Sequence, residues 1–522
     1  MTVGGPYEVK LMDGSSYQAQ TISDLFLQLG KTANVELQAA SGGNQLEVIE
    51  IKGTMNMAGA YKKGPSSEFT DQDINNTPAI SRDIKSLLKR DSKVMVDPTA
   101  DGGPALSIAG GNVRGNSLTV DGVKQNDDFG LNKNGYPGRR SPISLDAIDQ
   151  LSVNIAPYDV TYGDFQGGNI NVVTKSGTNE FHGSAFYYRS DDSLIGDKSE
   201  GQDLNIGEFE EDTYGFTVGG PILEDKLFFF ASYEKFEAVS PYQFSLDNDN
   251  GVKDPNERQG VTQEDFDRIA QVATDVWGYD IGGYNVPKEE EAENILLKLD
   301  WYINDDHRAS LTYQDNSGNT VRDYWAETFP NASTATAESN RYNQAETLKA
   351  TSLQIFSDWN DDFSTEFKLS NKKVTTKQDS LLGANFPEFR IGTPNGGSLF
   401  IGPDRFRHAN ALDNDRLALK IKGDYYLNDE HKLTFGWEHE ELSVYNLFVF
   451  GSLGFTTFAT IEEFENNLGF HVFQNSIDGN ALNATDEFEY DQNVFYIQDE
   501  WATTDDLTLT FGLRYTKYSN DV

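Results

Sequence analysis

The sequence predicts a mainly β protein, a transmembrane antiparallel β-barrel wall of about eleven strands with a compact mixed α/β unit before it. Three observations predict this fold. After Gly177, apolar and polar residues alternate with period two through eleven segments, at 181–189, 210–220, 226–234, 294–303, 307–315, 347–359, 362–370, 416–427, 431–447, 492–502 and 507–518. Short polar turns (Pro221–Asp225, Asn304–Asp306, Asn360–Asp361, Asn428–Glu430 and Thr503–Asp506) alternate strictly with long connections near 190–209, 235–293, 316–346, 371–415 and 448–491. That arrangement puts every long connection at one end, as a membrane barrel does and a soluble sandwich has no reason to do. Finally, 54–175 is a glycine-rich stretch of mixed helix and strand signals, sized for a compact unit.

Composition narrows the function. The 522 residues include 42 Lys+Arg and 83 Asp+Glu, a formal charge of −41. This weighs against a nucleic-acid partner, because a phosphate backbone requires a basic face. With no cysteine there is no disulfide framework, thiolate metal site or thiol nucleophile. No stretch approaches the roughly 20 apolar residues of a membrane helix, which excludes a helical span and leaves a barrel open. The start, MTVGGPYEVKLMDGSSYQ, lacks the basic and apolar regions of a secretion signal, so either the chain is cytosolic or the front of a longer chain is missing.

Residues 1–38 read as short strands, Tyr7–Met12, Tyr17–Ile22 and Ala33–Leu37, with an Asp13-Gly14 turn. They suit either the trailing part of a β-sandwich or a small stand-alone meander. The tract 39–53 is a polar linker followed by LEVIEIKG, an isolated β-prone segment able to pair with a partner's sheet edge or to enter the next domain as an ordinary strand. Within 54–175, Ser81 is placed to cap a short helix with Ile84, Leu87 and Leu88 on one buried face, and strands follow at 106–109, 118–120, 148–155 and 169–174. Neither a dinucleotide-binding GxGxxG nor a phosphate-binding Walker loop is present. In the wall, Leu297, Leu299, Trp301 and Ile303 oppose Lys298, Asp300 and Tyr302. Leu433, Phe435 and Trp437 likewise oppose Thr434, Gly436 and Glu438. The second long connection holds a helix signal, with Thr262 as cap, Asp265 three residues on, and Phe266, Ile269, Ala273 and Val276 at helical spacing.

Three segments resemble a known family. VRGNSLTVDGV (113–123), with Arg114, Gly115, Asp121 and Gly122, is similar to the plug domain of TonB-dependent outer-membrane receptors. IDQLSVNIAPYDVTYGDFQGGNINVVTKSGTNEFHGSAFYY (148–188), with Gly167 and Gly168, resembles the end of that plug and the first barrel strand. GGPILEDKLFFFASYE (219–234) looks like the Oar-like branch, which has a carboxypeptidase-regulatory-like β-sandwich before the plug. The resemblance implies domains at 1–38 (the end of that sandwich), 39–53 (linker), 54–175 (plug) and 176–522 (the first half of a 22-strand barrel), hence a fragment. It implies a transporter in the outer membrane, with long loops outside and short turns in the periplasm, driven by the TonB–ExbB–ExbD complex. A substrate from outside and lipopolysaccharide with divalent cations are its further implied partners, with no cofactor. LEVIEIKG then becomes a TonB-box candidate: Leu46, Glu47, Val48, Ile49, Glu50 and Ile51.

The remaining chemistry is sparse. None of the histidines (His182, His307, His408, His431, His439 and His471) forms HExxH, and the pattern around His439 has no third ligand nearby in sequence. Asp247, Asp249 and Asp254 have the flavour of a calcium loop, but Gly251 comes one place early for an EF-hand, which favours a solvated acidic loop. No nucleophile elbow or distinctive carboxylate pair is present, so the expectation is no enzyme and no resident metal. A plug inside a polar barrel needs releasable contacts. Arg114, Arg139 and Arg140 are candidates to pair with the polar-face residues Asp300, Glu366 and Glu438, or else to bond within plug loops. An adhesin on the same barrel and a soluble secreted β-protein are the rival readings.

Overall fold

The computed structural model describes residues 4–11, 20–27, 65–77, 82–98, 103–196, 198–199, 202–203, 207–251, 256–329, 333–504 and 507–521. The LEVIEIKG tract, the Asp13-Gly14 turn, Ala33–Leu37, Ser81 and Asp254 lie outside these. Near the start, strands Gly4–Leu11 and Gln20–Leu27 pair antiparallel.

Residues 65–174 fold into an α/β body. Its five-stranded sheet runs in the order Ser66–Thr70, Ile148–Ile155, Gly168–Thr174, Ser117–Val120, Val123–Lys124. Only Ser117–Val120 against Gly168–Thr174 is parallel. Helix Ile84–Leu88 buries Ile84, Leu87 and Leu88 completely, as their spacing predicts. Its cap is Asp83 rather than Ser81, with the Asp83 carboxylate accepting the Lys85 N–H at 2.8 Å. The reason is Arg82, held at φ +50°, which prevents a right-handed turn from starting before it. A second short helix, Asp71–Asn75, opens on a capping box made by Thr70 and Asp73. The body's apolar core runs from Phe69 and Ile84 through Leu151 and Val172, and it continues into the wall at Phe230 and Leu296.

The wall is one sheet of eleven antiparallel strands, each bonded to its neighbour in sequence. The strands are His182–Asp191, Glu210–Leu223, Leu227–Ser240, Lys288–Tyr302, His307–Arg322, Tyr342–Asn360, Phe363–Ser380, Asn410–Tyr426, His431–Phe448, Thr485–Thr504 and Leu507–Asp521. His182–Asp191 and Leu507–Asp521 stand at its two ends. Several strands outrun their apolar alternation at the long-connection end: Lys288–Tyr302 begins on KEEEAEN, six residues before the first expected position. The backbone ladder continues there above the apolar zone, where side-chain period no longer reports it. Leu297, Leu299, Trp301, Ile421, Phe435, Phe495, Ile497, Phe511 and Leu513 project outward and exposed, forming an apolar belt. Lys298, Asp300, Gln314, Glu346, Lys368, Lys372 and Gln498 are buried on the other face, against the α/β body. Apolar outside and polar inside is the inverse of a soluble sheet and the pattern of a membrane barrel. No helix among the described residues is long and apolar enough to cross a membrane.

Four of the long connections fold together. Thr334–Thr336, Ser398–Ile401, Glu388–Gly392, Phe455–Phe458 and Phe470–Val472 make a five-stranded sheet in that spatial order. They come from the connections 323–341, 381–409 and 449–484. Helix Gln263–Trp277, from 241–287, packs onto this sheet through Phe266, Ile269, Val272 and Ala273 against a core containing Phe389, Ile391, Leu399, Phe458 and Phe464. Thr262 and Asp265 form its capping box, and Gly278 at φ +65° ends it. Val276, expected on the apolar stripe, is exposed, and Val272 takes the buried position. This folded unit is termed the cap below.

Candidate functional site

The Arg-Gly segment fastens the plug internally, whereas the Asp-Gly turn does so and also meets the wall. Arg114 sits in a single 3-10 turn, Val113–Gly115, and its guanidinium donates to the Gly130 carbonyl within the plug body. Asp121 accepts the Thr174 N–H at 2.9 Å and the Thr174 hydroxyl at 2.6 Å, tying the turn to the end of the last plug strand. Gly122 follows at φ +73°, and a β-carbon there would meet the Lys368 ammonium of the wall. That ammonium donates to the Asp121 carbonyl. Gly168 passes so close to Ile108 that a β-carbon would sit 2.6 Å from its Cγ2, while its N–H bonds the Asn116 side chain at 3.2 Å.

The seam between plug and wall is mainly polar, with small apolar contacts where Val123 meets Leu348, Ala350 and Val374 and where Val160 meets Val494 and Tyr496. Asp128 of the plug forms an ion pair with Lys372 at 2.6 Å and accepts from Arg416 at 2.8 Å, both wall residues. Arg416 also pairs with Glu440, which receives Lys124 of the plug at 2.8 Å; Lys124 in turn meets Asp164 at 3.0 Å. The result is a continuous chain of alternating charge, crossing the seam repeatedly. Burial opposes ionisation of Asp128, but Lys372 and Arg416 outweigh it and hold its carboxyl below the ordinary range. For Lys124 burial is likewise outweighed, by Glu440 and Asp164, and its ammonium is raised. On another side of the plug, Arg82 reaches both Asp146 and the wall's Glu234, bonding the latter at 2.9 Å while packing 3.8 Å over the Phe186 ring. Ser144 adds a 2.6 Å bond to Glu234. A third contact centres on Glu346, which accepts from Asn132 at 3.1 Å and from the backbone N–H of Arg139 at 2.9 Å. Nearby, Asn316 donates to the Pro142 carbonyl, and at the far end of the wall Arg514 donates to that of Val160 at 2.9 Å.

Of the arginines singled out by sequence, Arg140 reaches the wall through its side chain, 3.4 Å from Glu290 and 3.4 Å over the Phe236 ring. Arg139 reaches it through its backbone, and Arg114 bonds within the plug. Asp300 and Glu366 sit beside wall lysines, Lys298 and Lys368. Glu438 pairs with Arg514 at 2.8 Å and Lys420 at 3.3 Å, also on the wall. The structure therefore does not bring those three arginines to those three carboxylates. Instead the seam pairs Arg82 with Glu234, Lys124 with Glu440, Asp128 with Lys372 and Arg416, Asp164 with Gln492, and Asn132 and the Arg139 N–H with Glu346, while Lys298 of the wall lies 3.7 Å from Asp121. Strand parity marks Glu234 and Glu440 as inward-facing. Their plug partners lie in irregular loops, where sequence has no parity to read. In the acidic loop, the Asp247 carboxylate accepts the N–H groups of Asp249 at 2.9 Å and Gly260 at 2.6 Å, an ordinary turn role.

Residues 173–520 match the family model described as an outer membrane beta barrel domain, and residues 62–169 match that of the TonB-dependent receptor plug domain. The chain belongs to the TonB-dependent outer-membrane receptors. This places the receptor in the outer membrane, within a family of receptors and transporters rather than enzymes. Over 247 residues the receptor is 30% identical to the TonB-dependent transporter Oar of Myxococcus xanthus, a match covering 44% of this chain and 22% of that protein. It is 27% identical over 224 residues to the probable TonB-dependent siderophore receptor PirA of Acinetobacter baumannii, covering 40% and 28%. Among solved structures, the outer membrane transporter YddB from Escherichia coli superposes with a TM-score of 0.60 at 13% identity, over 88% of this chain and 57% of that one. The A. baumannii PirA structure gives 0.53 at 15% identity, over 87% and 57%. At these identities the likeness is one of fold. The receptor chain thus spans less than two thirds of the length of these relatives.

Proposed function

We propose that this receptor is a TonB-dependent transporter that moves a large or scarce substrate across the outer membrane, using inner-membrane energy through rearrangement of the plug. The observation that supports this reading best is the nature of the seam. A plug meant to stay closed is held most simply by an apolar seal. Here the apolar contacts are confined to small patches around Val123, Val160 and the Phe230–Leu296 pair, and most of the seam is ion pairs and hydrogen bonds, the Lys372–Asp128–Arg416–Glu440–Lys124–Asp164 chain foremost. Water and neighbouring groups can replace such bonds singly as the plug shifts. In this reading the cap and long connections face outward, the short turns and the N-terminal region face the periplasm, and the complete wall has 22 strands. Residues 1–38 belong to a carboxypeptidase-regulatory-like domain. Leu46–Ile51 is the TonB box, recruiting the TonB–ExbB–ExbD complex, and outer-leaflet lipopolysaccharide with divalent cations surrounds the belt.

Pairing with TonB at a box is chiefly backbone hydrogen bonding, so side-chain exchanges that keep β structure are mild. Proline at Val48 or Ile49 removes a ladder donor and fixes φ, and it is severe. In cells producing the full-length protein, either proline variant is expected to retain ligand binding while uptake drops to the level found without TonB. Unchanged uptake in both variants moves the box elsewhere, or leaves an adhesin on the same barrel as the better reading.

A further inference from the structure

His439 and Glu441 lie two residues apart on strand His431–Phe448, a spacing that offers only two ligands. The sheet supplies a third. Glu441 stands directly opposite Asp491 of strand Thr485–Thr504, and His439 opposite Asn493. The ligand atoms of His439, Glu441 and Asp491 all lie within 4.8 Å of one another. All three project from the outer face, since the intervening Glu440 points inward to Lys124 of the plug. They stand just above the apolar belt, two residues beyond Trp437 and its partner Phe495.

Two features set this cluster apart from an ordinary solvated face. First, Glu441 and Asp491 are like charges in direct cross-strand register, an arrangement that costs stability unless a cation lies between them. Neither forms an ion pair with a lysine or arginine among the described residues. Second, the imidazole is oriented from behind. Its Nδ1 donates to the Asn493 Oδ1 at 3.2 Å, and the same oxygen receives the Trp437 indole N–H at 3.3 Å. A carbonyl oxygen already taking one donor and facing Nδ1 selects the tautomer with the proton on Nδ1, leaving Nε2 with its lone pair. Metal-bound histidines are typically held by such a partner on the other ring nitrogen.

We infer that His439, Glu441 and Asp491 form a binding site for a divalent transition-metal ion of the Zn2+ class, on the outside of the wall at the level of the lipid headgroups. One imidazole nitrogen and two carboxylates suit Zn2+ or Co2+ over Mg2+, which favours an all-oxygen shell. Rotamer adjustments of about 1 Å bring the three donors to the usual 2.0–2.2 Å from a central ion. The remaining coordination positions open outward. The ion joins two wall strands and neutralises the Glu441–Asp491 repulsion.

The test uses the whole chain in detergent, with millimolar Mg2+ present to occupy the diffuse acidic exterior. Co2+ titration is followed by its visible absorption, with Zn2+ competition. One Co2+ per chain, displaced by Zn2+ and not by Mg2+, is the expected result. His439→Gln weakens binding by at least about tenfold, and the double variant Glu441→Gln, Asp491→Asn abolishes it. These side chains are on the outer surface, so the variants retain the wild-type heat-modifiable migration. Without metal, the double variant unfolds no lower than wild type because a repulsion has gone. Absence of a Mg2+-resistant site, or unchanged affinity in His439→Gln, overturns the inference.

Discussion

Asp128 neutralises two wall cations at once, Lys372 and Arg416, with its carboxylate almost wholly buried between them. Replacing it by Asn leaves both cations facing a neutral group in a confined space, and breaking a buried pair in this way typically costs about 3–5 kcal/mol. Asp128→Asn is therefore expected to release the plug at lower urea concentration, seen as earlier loss of amide protection over 117–124. No change in that midpoint would make the charge chain irrelevant to plug retention. His408 presents a different case, in the cap. Its Nδ1 accepts the Leu453 N–H at 3.1 Å and its Nε2 donates to the Pro403 carbonyl at 3.0 Å, so the neutral ring staples two connections together. Burial pushes this imidazole down to about 4. The folded cap therefore holds fewer protons than the unfolded chain between about pH 4 and 6.5, and the contribution of His408 is full above that window and lost as pH falls through it. Its size is on the order of 3 kcal/mol. Buried Asp404 and Glu388, both pushed up by burial, act with opposite sign, so the comparison must be made against His408→Gln. Amide exchange at Leu453 is expected to be slower in wild type than in the variant at pH 7, with the gap closing by pH 4. A gap independent of pH would show that the ring's charge state does not matter.

At the level of elements, the wall strands were legible because each strand has one face in lipid and one against polar groups, so period two survives even in single strands. Helix Gln263–Trp277 was legible for a similar local reason, its cap and stripe both lying within its own residues. The cap sheet was not. Its strands are three to five residues long, and two of its pairings, Thr334–Thr336 with Ser398–Ile401 and Glu388–Gly392 with Phe455–Phe458, are parallel between segments of different connections. No local signal names a partner so far along the chain. Phe464, fully buried where the helix Ile461–Glu465 meets Trp277 and Phe389, is the keystone of that core. Phe464→Ala is expected to cost roughly 3–5 kcal/mol of cap stability. Limited proteolysis should then cut within 381–409 and 449–484 while the wall keeps its heat-modifiable migration. Cleavage spreading into the wall at the same rate would mean that cap and wall unfold as one.

On the scale of the whole molecule, plug and wall rest on different physics: a small apolar core with a mainly polar seam for the former, a long uninterrupted ladder for the latter. All six tryptophans lie in the wall or cap, at 277, 301, 325, 359, 437 and 501, and none in the plug. Plug unfolding is thus silent in tryptophan emission. In rising urea, amide protection over 148–155 and 168–174 is expected to vanish while tryptophan emission is still native; coincident transitions would contradict an independently released plug. The general plan of an α/β body inside a wall was readable from glycine content and loop asymmetry, whereas the seam's true partners, such as Arg82 with Glu234, depended on how the body is rotated, which no pattern along the chain encodes. With the cap outermost, as proposed above, it has a consequence for anything that recognises this protein from outside. Its face is assembled from connections separated by up to two hundred residues, so an antibody or phage tail fibre docking there reads a composite epitope. Synthetic peptides copied from single loops would compete poorly for such a binder, and exchanging one loop between relatives would scramble a surface that only the full set can recreate.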